Sequence, residues 1–401
     1  MHEKQTEGKP AKQQQLWLRR VAISMVVIAA FGFGMGVGNG TLSFTSRGVV
    51  SSDLPASLNY TSVNQLYQSI KENYNGKLSE SQLIDGLKHG LAESTNDPYT
   101  TYFTKKEAAS FNDSLNNTFS GIGAELSKDS KGNIQVISPI SGTPAEKAGV
   151  KAKDIIASIN DKTTVGMSVD DAVKNIRGKA GTQVKLQLIR GDAAVELKIT
   201  REQIQVPSVT HKTLEGNIGY IRVSTFANDT ASLIAEATNA LKDSKSIILD
   251  LRNNPGGSVD AAVAVSSEWL PLDSTIMQEK RGSEVVQSYR STGDQTVGDL
   301  PTVVLVNGGS ASASEIVAAA LKDNKHGYII GEKTYGKGVV QQLINFKDGS
   351  QLKVTVADWF RPNGKNINKH GIDPDMNVKL AEDATPENDN QLQAAEAYLN
   401  R

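Results

Sequence analysis

Apolar positions follow three different patterns along this chain of 401 residues, and each pattern predicts a different kind of region. Short continuous apolar runs are typical of strands buried on both faces, whereas helices repeat their apolar positions every three or four residues. In the second half of the chain, strand-like runs at 217–223, 246–251, 302–306 and 328–330 alternate with Ala-rich helical stretches. This alternation predicts an α/β domain with a largely parallel sheet over residues 206–377.

Residues 118–205 show the second pattern, in which short segments alternate apolar and polar positions. A strand is predicted at 134–137, a helix with one apolar face at 169–178, and a hairpin that turns at Gly191-Asp192. These elements predict a small domain of their own ahead of the α/β domain.

The third pattern lies before residue 118. Between 58 and 117 apolar residues recur at helical spacing, with Pro98 interrupting them, and this predicts an N-terminal helical region. Residues 41–57 are rich in Ser, Thr and Gly and are interpreted as a linker. At the other end, residues 378–401 are expected to form a tail that ends in a short helix.

Residues 21–38 form a stretch of 18 residues without a charge, directly after Arg19-Arg20. This length approaches that of a membrane-spanning helix, and no small-residue cleavage site typical of a signal peptide follows it. Because the positive charges precede the stretch, the positive-inside rule predicts a cytoplasmic tail over 1–18 and a single transmembrane anchor over 19–40. The bulk of the chain would then lie outside the cell membrane. A cleaved signal peptide is the alternative.

Composition excludes several classes of function. The chain carries 43 basic and 44 acidic residues, for a net charge of −1, and nothing favours nucleic acid as a partner. It contains no cysteine, which excludes thiol nucleophiles, thiolate metal sites and disulfides. The five histidines form no H-E-x-x-H motif and no G-x-S-x-G motif accompanies them, so a metalloprotease and a nucleophile-elbow hydrolase are unsupported. We therefore expect no metal and no cofactor.

Chemistry concentrates in residues 307–342, which follow the predicted strand at 302–306. Ser312 and Glu315 fit the S-x-x-E capping box, so helix capping is the simplest interpretation of this serine. Residues 331–337 fit the phosphate-loop pattern G-x-x-x-x-G-K, but Gly338 stands where a magnesium-binding Ser or Thr is needed. A β-branched pair then follows where the helix of such a loop should begin. A phosphate-binding loop is therefore not expected.

A serine nucleophile with a lysine base is the other interpretation of this stretch. Serine needs a neighbouring base to become nucleophilic, and lysine can act as that base only when burial keeps it neutral. Lys337 stands among glycines, a tyrosine and a valine pair that could exclude water, and Gln341 lies four residues further on. The helix after Ser312 would direct N–H groups toward a developing oxyanion.

The run SASASEIVAAA at 310–320, followed by GEKTYGKGVVQQ at 331–342, resembles the signature of the carboxy-terminal processing proteases, a family of Ser-Lys peptidases. The resemblance implies that Ser312 is the nucleophile, that Lys337 is the base and that Gln341 hydrogen-bonds the lysine. It further implies an oxyanion hole formed by the N–H groups of Gly257, in the turn DLRNNPGG, and Ala313. A protease core of the ClpP/crotonase type is expected for the α/β domain.

Residues 142–160, GTPAEKAGVKAKDIIASIN, resemble the PDZ domains linked to bacterial proteases. Such domains add an extended peptide to a sheet edge and hold its terminal carboxylate on backbone N–H groups. The resemblance places that peptide-binding loop at Ser120, Gly121, Ile122 and Gly123, and makes Arg177 the residue that couples the domain to the protease. A plain turn and a solvated arginine at a helix end are the alternatives.

The sequence as a whole predicts a membrane-anchored, extracytoplasmic serine endopeptidase that captures carboxy-terminal tails of peptides and proteins and cleaves them with a Ser-Lys dyad. By resemblance, the helical region at 58–117 would pack against a second copy and give a homodimer. Two alternatives stay open. One is a catalytically silent adaptor that binds tails without cutting them, and the other is a crotonase-like acyl-transfer enzyme that uses the same oxyanion geometry.

Overall fold

The computed structural model describes residues 54–55, 57–385 and 388–401. The predicted cytoplasmic tail, the transmembrane anchor over 19–40 and most of the linker lie outside these residues. Within the described residues, no helix combines the length and the apolarity needed to cross a membrane. The described residues fall into two compact units, which divide between Lys77 and Leu78.

In the first unit, helix α1 (Thr61–Asn73) occupies part of the predicted helical region. The second unit begins with helices α2 (Glu80–Glu93) and α3 (Lys105–Leu115), both of which start with a complete capping box. Strand β1 (Thr101–Phe103) lies between them and was not predicted as a strand. Pro98 ends the helical pattern, and the β-prone Thr-Tyr-Phe sequence that follows pairs with a strand far along the chain.

The middle domain is a six-stranded antiparallel sheet with two helices, and a separate two-stranded ribbon, β2 with β9, joins it to the rest of the chain. Helix α5 carries the predicted apolar face, and the predicted hairpin is β7 with β8. The elements are β2 (Thr118–Gly121), β3 (Ala124–Lys128), β4 (Ile134–Pro139), α4 (Pro144–Lys147), β5 (Ile155–Ile159), β6 (Lys162–Thr163), α5 (Val169–Ile176), β7 (Gln183–Arg190), β8 (Ala193–Thr200) and β9 (Glu202–Gln205).

The C-terminal domain confirms the expected α/β class. Its six-stranded sheet has the order β10-β11-β12-β15-β16-β19, and all pairs except β10 with β11 are parallel. The elements are β10 (Val209–Leu214), β11 (Ile218–Val223), α6 (Thr230–Ala240), β12 (Ser246–Asp250), α7 (Val259–Ser267), β13 (Thr275–Arg281), β14 (Glu284–Arg290), β15 (Thr302–Val306), α8 (Ala313–Asp323), β16 (Tyr328–Gly331), β17 (Val339–Asn345), β18 (Gln351–Phe360), β19 (Met376–Asn377) and α9 (Asn390–Leu399).

The central strands explain the continuous apolar runs of the sequence. Every residue of β12 and β15 is buried. Alternate residues of β15 belong to different cores: Val304 and Val306 pack with α6, α7 and α8 on one face, whereas Val303 and Leu305 pack with α9 on the other. A strand covered on both faces has no position at which a polar side chain would reach water.

A second, antiparallel sheet places the remaining parts of the site. Its order is β1-β18-β13-β14, with β17 also paired to β18. Strand β18 extends the alternating run predicted at 351–356, and β17 begins two residues after Lys337. Because β12 and β15 are parallel, the loops after them emerge at the same edge of the central sheet, which is where sites form in such folds.

Candidate active site

Ser312 lies in the turn between β15 and α8, in a backbone conformation with φ 54° and ψ −115°. Side chains with a Cβ rarely adopt a positive φ, and surrounding contacts have to hold them there. The turn is fastened to the loop after β12: Ser314 Oγ donates to the carbonyl of Asn254 at 2.8 Å, and the N–H of Ala311 donates to it at 3.0 Å. Ser310 Oγ donates to the carbonyl of Leu251 at 2.8 Å.

The carboxylate half of the capping box predicted at Ser312 and Glu315 is confirmed. The N–H of Ser312 donates to Oε2 of Glu315 at 2.9 Å, so the carboxylate fixes the turn. Helix capping uses a serine side chain only as an acceptor, which leaves the hydroxyl proton of Ser312 available for transfer to a base.

Two glycines let the loop after β12 reach Ser312. A Cβ on Gly256 would lie 2.8 Å from Cβ of Ser312 and 3.0 Å from the nitrogen of Ala313. Gly257 has φ 144°, and a Cβ there would lie 2.2 Å from the carbonyl oxygen of Phe226. The predicted oxyanion-hole residues Gly257 and Ala313 therefore flank Ser312, and within the described residues neither of their N–H groups donates a hydrogen bond.

Lys337 lines the same cavity as Ser312 and Gly257, a cleft of about 610 Å³. Burial lowers the pKa of Lys337 from its ordinary value of 10.5, and the positive charge of Lys353 lowers it further, whereas the carboxylates of Asp97 and Glu315 oppose the shift. The ammonium nitrogen lies 5.2 Å from the centre of the Tyr99 ring. In the described part of the chain, no hydrogen bond joins it to Ser312.

Gln341 lines this cavity too, but its amide points elsewhere in the present conformation. Its Nε2 donates to Oγ1 of Thr355 at 3.5 Å, across the β17–β18 pair. The structure thus brings Ser312, Lys337 and Gln341 into one cleft without forming the hydrogen bonds expected among them.

Glu315 has a larger part in the site than the sequence indicated. Its side chain is fully buried, and its two oxygens accept four hydrogen bonds. Oε2 accepts from the N–H groups of Ser312 and Lys337 at 2.9 and 3.0 Å. Oε1 accepts from the hydroxyl of Thr334 at 2.6 Å and from the N–H of Gly336 at 2.7 Å. One carboxylate therefore joins the turn of the serine to the loop of the lysine. An acidic residue directly ahead of the apolar run 316–321 of α8 was the signal for it.

The turn at 97–100 is a second element that the sequence did not assign to the site. Asp97 accepts hydrogen bonds from the hydroxyl of Thr100 at 2.6 Å and from the N–H of Tyr99 at 3.1 Å. Thr100 in turn accepts from the N–H of Thr355 in β18 at 3.2 Å. Burial by itself would raise the pKa of Asp97, but hydrogen bonds from Thr100 and Thr355 outweigh it and the pKa is lowered. The turn thus holds Tyr99 against Lys337.

The predicted peptide-binding residues lie around a separate cavity of about 430 Å³ in the middle domain. Gly121, Ile122, Gly123 and Arg177 all line it, together with apolar side chains such as Val173. The guanidinium of Arg177 lies 4.9 Å from the centre of the Phe119 ring, and the residue is exposed to solvent. Ser120 does not line this cavity; its carbonyl accepts from the N–H of Gly178 at 3.4 Å.

Three protein-family models match parts of the chain. The model of peptidase family S41 matches residues 217–378, and the PDZ domain model matches residues 113–189. A third model, the N-terminal domain of the activating protease CtpB, matches residues 45–107.

Curated relatives and solved structures point the same way. The chain is 41% identical over 326 residues to the carboxy-terminal processing protease CtpA of Bacillus subtilis, which covers 80% of this chain and 69% of that protein. It is 40% identical over 316 residues to a Staphylococcus haemolyticus protein described as a CtpA-like serine protease, covering 78% of this chain and 63% of that protein. The solved structure of a Bacteroides fragilis protein assigned to the S41 proteases shares the fold, with a TM-score of 0.56 at 15% identity over 86% of this chain and 99% of that one. The chain belongs to peptidase family S41, among the carboxy-terminal processing proteases, and is a serine-type peptidase.

Proposed function

We propose that the protein cleaves polypeptide chains near their carboxyl ends, with Ser312 as nucleophile and Lys337 as general base. The observation that carries this proposal is the buried carboxylate of Glu315, which accepts hydrogen bonds from the backbone N–H groups of both residues. The serine and the lysine belong to different loops, and this shared acceptor holds the two loops at one cleft. Capping of a helix would not require the second loop.

The reaction begins with Lys337 in its neutral form, which burial and the nearby Lys353 favour. Nζ takes the hydroxyl proton of Ser312 as Oγ forms a bond to the scissile carbonyl carbon. The same proton then passes to the departing amine as the C–N bond breaks, leaving an acyl-enzyme. Water attacks that ester, gives its proton to Lys337 and releases the new carboxyl end while Ser312 regains its proton.

The N–H groups of Gly257 and Ala313 are suited to stabilise the negative oxygen of the tetrahedral intermediates. Both groups flank Ser312, and neither has another acceptor among the described residues. Donors fixed in place before the reaction stabilise the developing charge without rearranging during it.

A movement of the lysine side chain is part of this proposal. In the present conformation its ammonium lies over the ring of Tyr99, and the amide of Gln341 is paired with Thr355. Reaching Ser312 requires Lys337 to leave that ring, and Gln341 is placed in the same cleft to receive the amine once it moves.

The groove of the PDZ domain is proposed to select the substrate by its carboxyl end. The loop at Gly121, Ile122 and Gly123 would hold the terminal carboxylate, and the apolar lining, including Val173 and Ile176, would favour apolar tail residues. Arg177, whose guanidinium lies over the Phe119 ring at the same groove, is proposed to couple tail binding to the protease domain. Ser120 is the weakest member of this set because its side chain does not line the groove.

Location, assembly and the finer fold type stay proposals that rest on the sequence. The uncharged stretch at 21–38, preceded by Arg19-Arg20, supports a single-pass anchor in the cell membrane with the catalytic domains outside. The helical region at 58–117 is proposed to form a homodimer, and the protease core is proposed to be of the ClpP/crotonase type.

The decisive experiment incubates the full chain in detergent with an unfolded protein whose carboxyl end is apolar. We expect cleavage by the natural protein, none by Ser312→Ala, and unchanged cleavage in the presence of EDTA. Amidation of the substrate's carboxyl end should raise KM because it removes the group that the PDZ loop would hold. Binding of the tail without cleavage by the natural protein would instead favour the adaptor.

A further inference from the structure

The active-site cleft contains two positive side chains and no negative one. Among all the side chains that line this cavity, Lys337 and Lys353 are the two that carry charge, and no carboxylate lines it. The remaining lining is apolar or neutral, with residues such as Phe111, Asn112 and Trp359. Since the reaction requires Lys337 to be neutral, Lys353 is the fixed charge of the cleft. Its charge favours the neutral form of Lys337, but the mechanism gives it no contact with the substrate.

Lys353 is held in place without a counter-ion. It lies in β18, where it pairs with Thr101 of β1 and with Leu343 of β17. Its Nζ lies 5.5 Å and 5.3 Å from the ring centres of Phe103 and Phe111, which stack on each other at 4.7 Å. Within the described residues it forms no salt bridge, although twelve others exist there.

The carboxylate that acts on Lys353, that of Asp97, already accepts hydrogen bonds from other groups. Asp97 opposes the lowering of the Lys353 pKa that burial causes, but it is not within salt-bridge distance and does not line the cleft. Its oxygens accept from the hydroxyl of Thr100 and the N–H of Tyr99. A partly dehydrated ammonium without a carboxylate beside it gains more from an arriving anion than a fully hydrated one would.

We propose that Lys353 binds a carboxylate on the segment of substrate that lies in the cleft, so that the enzyme favours an acidic group at one position beside the scissile bond. This inference rests on the proposed protease function. A charge-assisted hydrogen bond between the ammonium and the carboxylate supplies the preference, and a basic substrate residue at the same position is repelled. The carboxylate comes either from an Asp or Glu side chain or from a chain end that lies in the cleft.

The test uses the full chain and pairs of short amidated peptides that differ only by Glu against Gln at successive positions around a known cut. We expect one position at which Glu raises kcat/KM about tenfold over Gln. Lys353→Met should abolish that ratio, which is taken at each pH so that any change in rate common to both peptides through the pKa of Lys337 cancels, and Lys353→Arg should retain it. Lys347→Met, at an exposed lysine in the turn of the same hairpin, is the matched control and should change nothing.

A second set of peptides compares a free carboxyl end with an amidated one. If the ratio of free-acid to amide rates depends on Lys353 and the ratio of Glu to Gln rates does not, the carboxylate that Lys353 binds is a chain end. The same peptides are also bound to Ser312→Ala and followed by fluorescence anisotropy, which reads the subsite without cleavage. If the natural protein cuts nothing but Ser312→Ala still prefers the carboxylate, the protease proposal fails and the subsite stands. The subsite proposal is overturned if Lys353→Met changes neither the Glu-to-Gln ratio nor the free-acid-to-amide ratio. This includes the case in which the variant slows all peptides by the same factor.

Discussion

The turn that carries Ser312 and the loop that carries Lys337 meet at the same carboxylate, yet their surroundings differ. Ser310, Ala313, Ser314 and Glu315 are fully buried, and close glycine contacts leave this turn no room to move. The lysine loop is more open: Tyr335 is 60% exposed. Among the described residues the ammonium of Lys337 forms no hydrogen bond or salt bridge, and it lies over the ring of Tyr99. In the proposed mechanism the nucleophile and the oxyanion donors are therefore preassembled, whereas the proposed base still has to be brought to them.

The largest effects are expected from removing either reacting group. Ser312→Ala and Lys337→Ala should each lower kcat by at least about 10⁴-fold. The serine is not nucleophilic without a base to take its proton, and without the serine there is no nucleophile to activate. Lys337→Arg should fail equally, since a guanidinium is not deprotonated. Rates from peptide cleavage and unfolding curves from circular dichroism check this. Lys333→Ala, an exposed lysine of the same loop, should keep full activity; activity in Lys337→Ala would remove the dyad.

Glu315→Gln tests whether one carboxylate holds the turn of Ser312 and the loop of Lys337 together. An amide presents a donor where the carboxylate offers only acceptors, so two of its four hydrogen bonds are lost or reversed. We expect kcat to fall roughly 10²-fold, with KM little changed and a loss of about 1–3 kcal/mol in the free energy of unfolding. Glu332→Gln, in the same loop outside this network, serves as the control. A change in stability without a change in kcat would make Glu315 purely structural.

The turn of Ser312 and the loop of Lys337 also differ in how much of their structure the sequence predicted. The serine turn is local: strand, turn, small residues and helix follow one another between 302 and 323, so the pattern predicts them together. The surroundings of Lys337 come from distant parts of the chain. Tyr99 reaches it only because β1 pairs with β18, and no periodicity encodes which strands pair across 250 residues of sequence. The contact of Glu315 with the N–H of Ser312 belongs to the capping box that the sequence predicted. Its contacts with Thr334, Gly336 and Lys337 stayed hidden because they join two separate loops.

The pH dependence of kcat/KM tests the surroundings assigned to Lys337. Because the pKa of Lys337 is lowered in the fold, kcat/KM should rise with pH along a limb that lies below 10.5. Lys353→Met removes a positive neighbour and should move that limb to higher pH, whereas Lys353→Arg should leave it in place. Kinetics between pH 6 and 10, within the stable range of each variant, measure this. An unchanged limb in Lys353→Met would contradict the cause assigned to the shift.

The same shift has a consequence for stability. A lysine with a lowered pKa binds fewer protons when folded than when unfolded, so its charged form opposes folding below the folded pKa. That opposition is lost as the pH rises toward 10.5. Lys337→Met should therefore raise Tm at neutral pH, and its advantage over the natural protein should shrink as the pH rises. An equal gain at every pH would show that improved packing, not charge, is responsible.

The smallest effect is expected at Tyr99, whose substitution tests the loop that carries Lys337. A cation–π contact at a partly exposed site contributes about 0.5–1 kcal/mol. If that contact holds Lys337 away from Ser312, Tyr99→Leu should raise the basal kcat by up to about fivefold, and Tyr99→Phe, which keeps the ring face, should not. A tail that engages the PDZ groove should reduce the difference between Tyr99→Leu and the natural protein, because both then work with a released lysine. A fall in kcat for Tyr99→Leu, with and without a tail, would show instead that the ring guides the base to the serine.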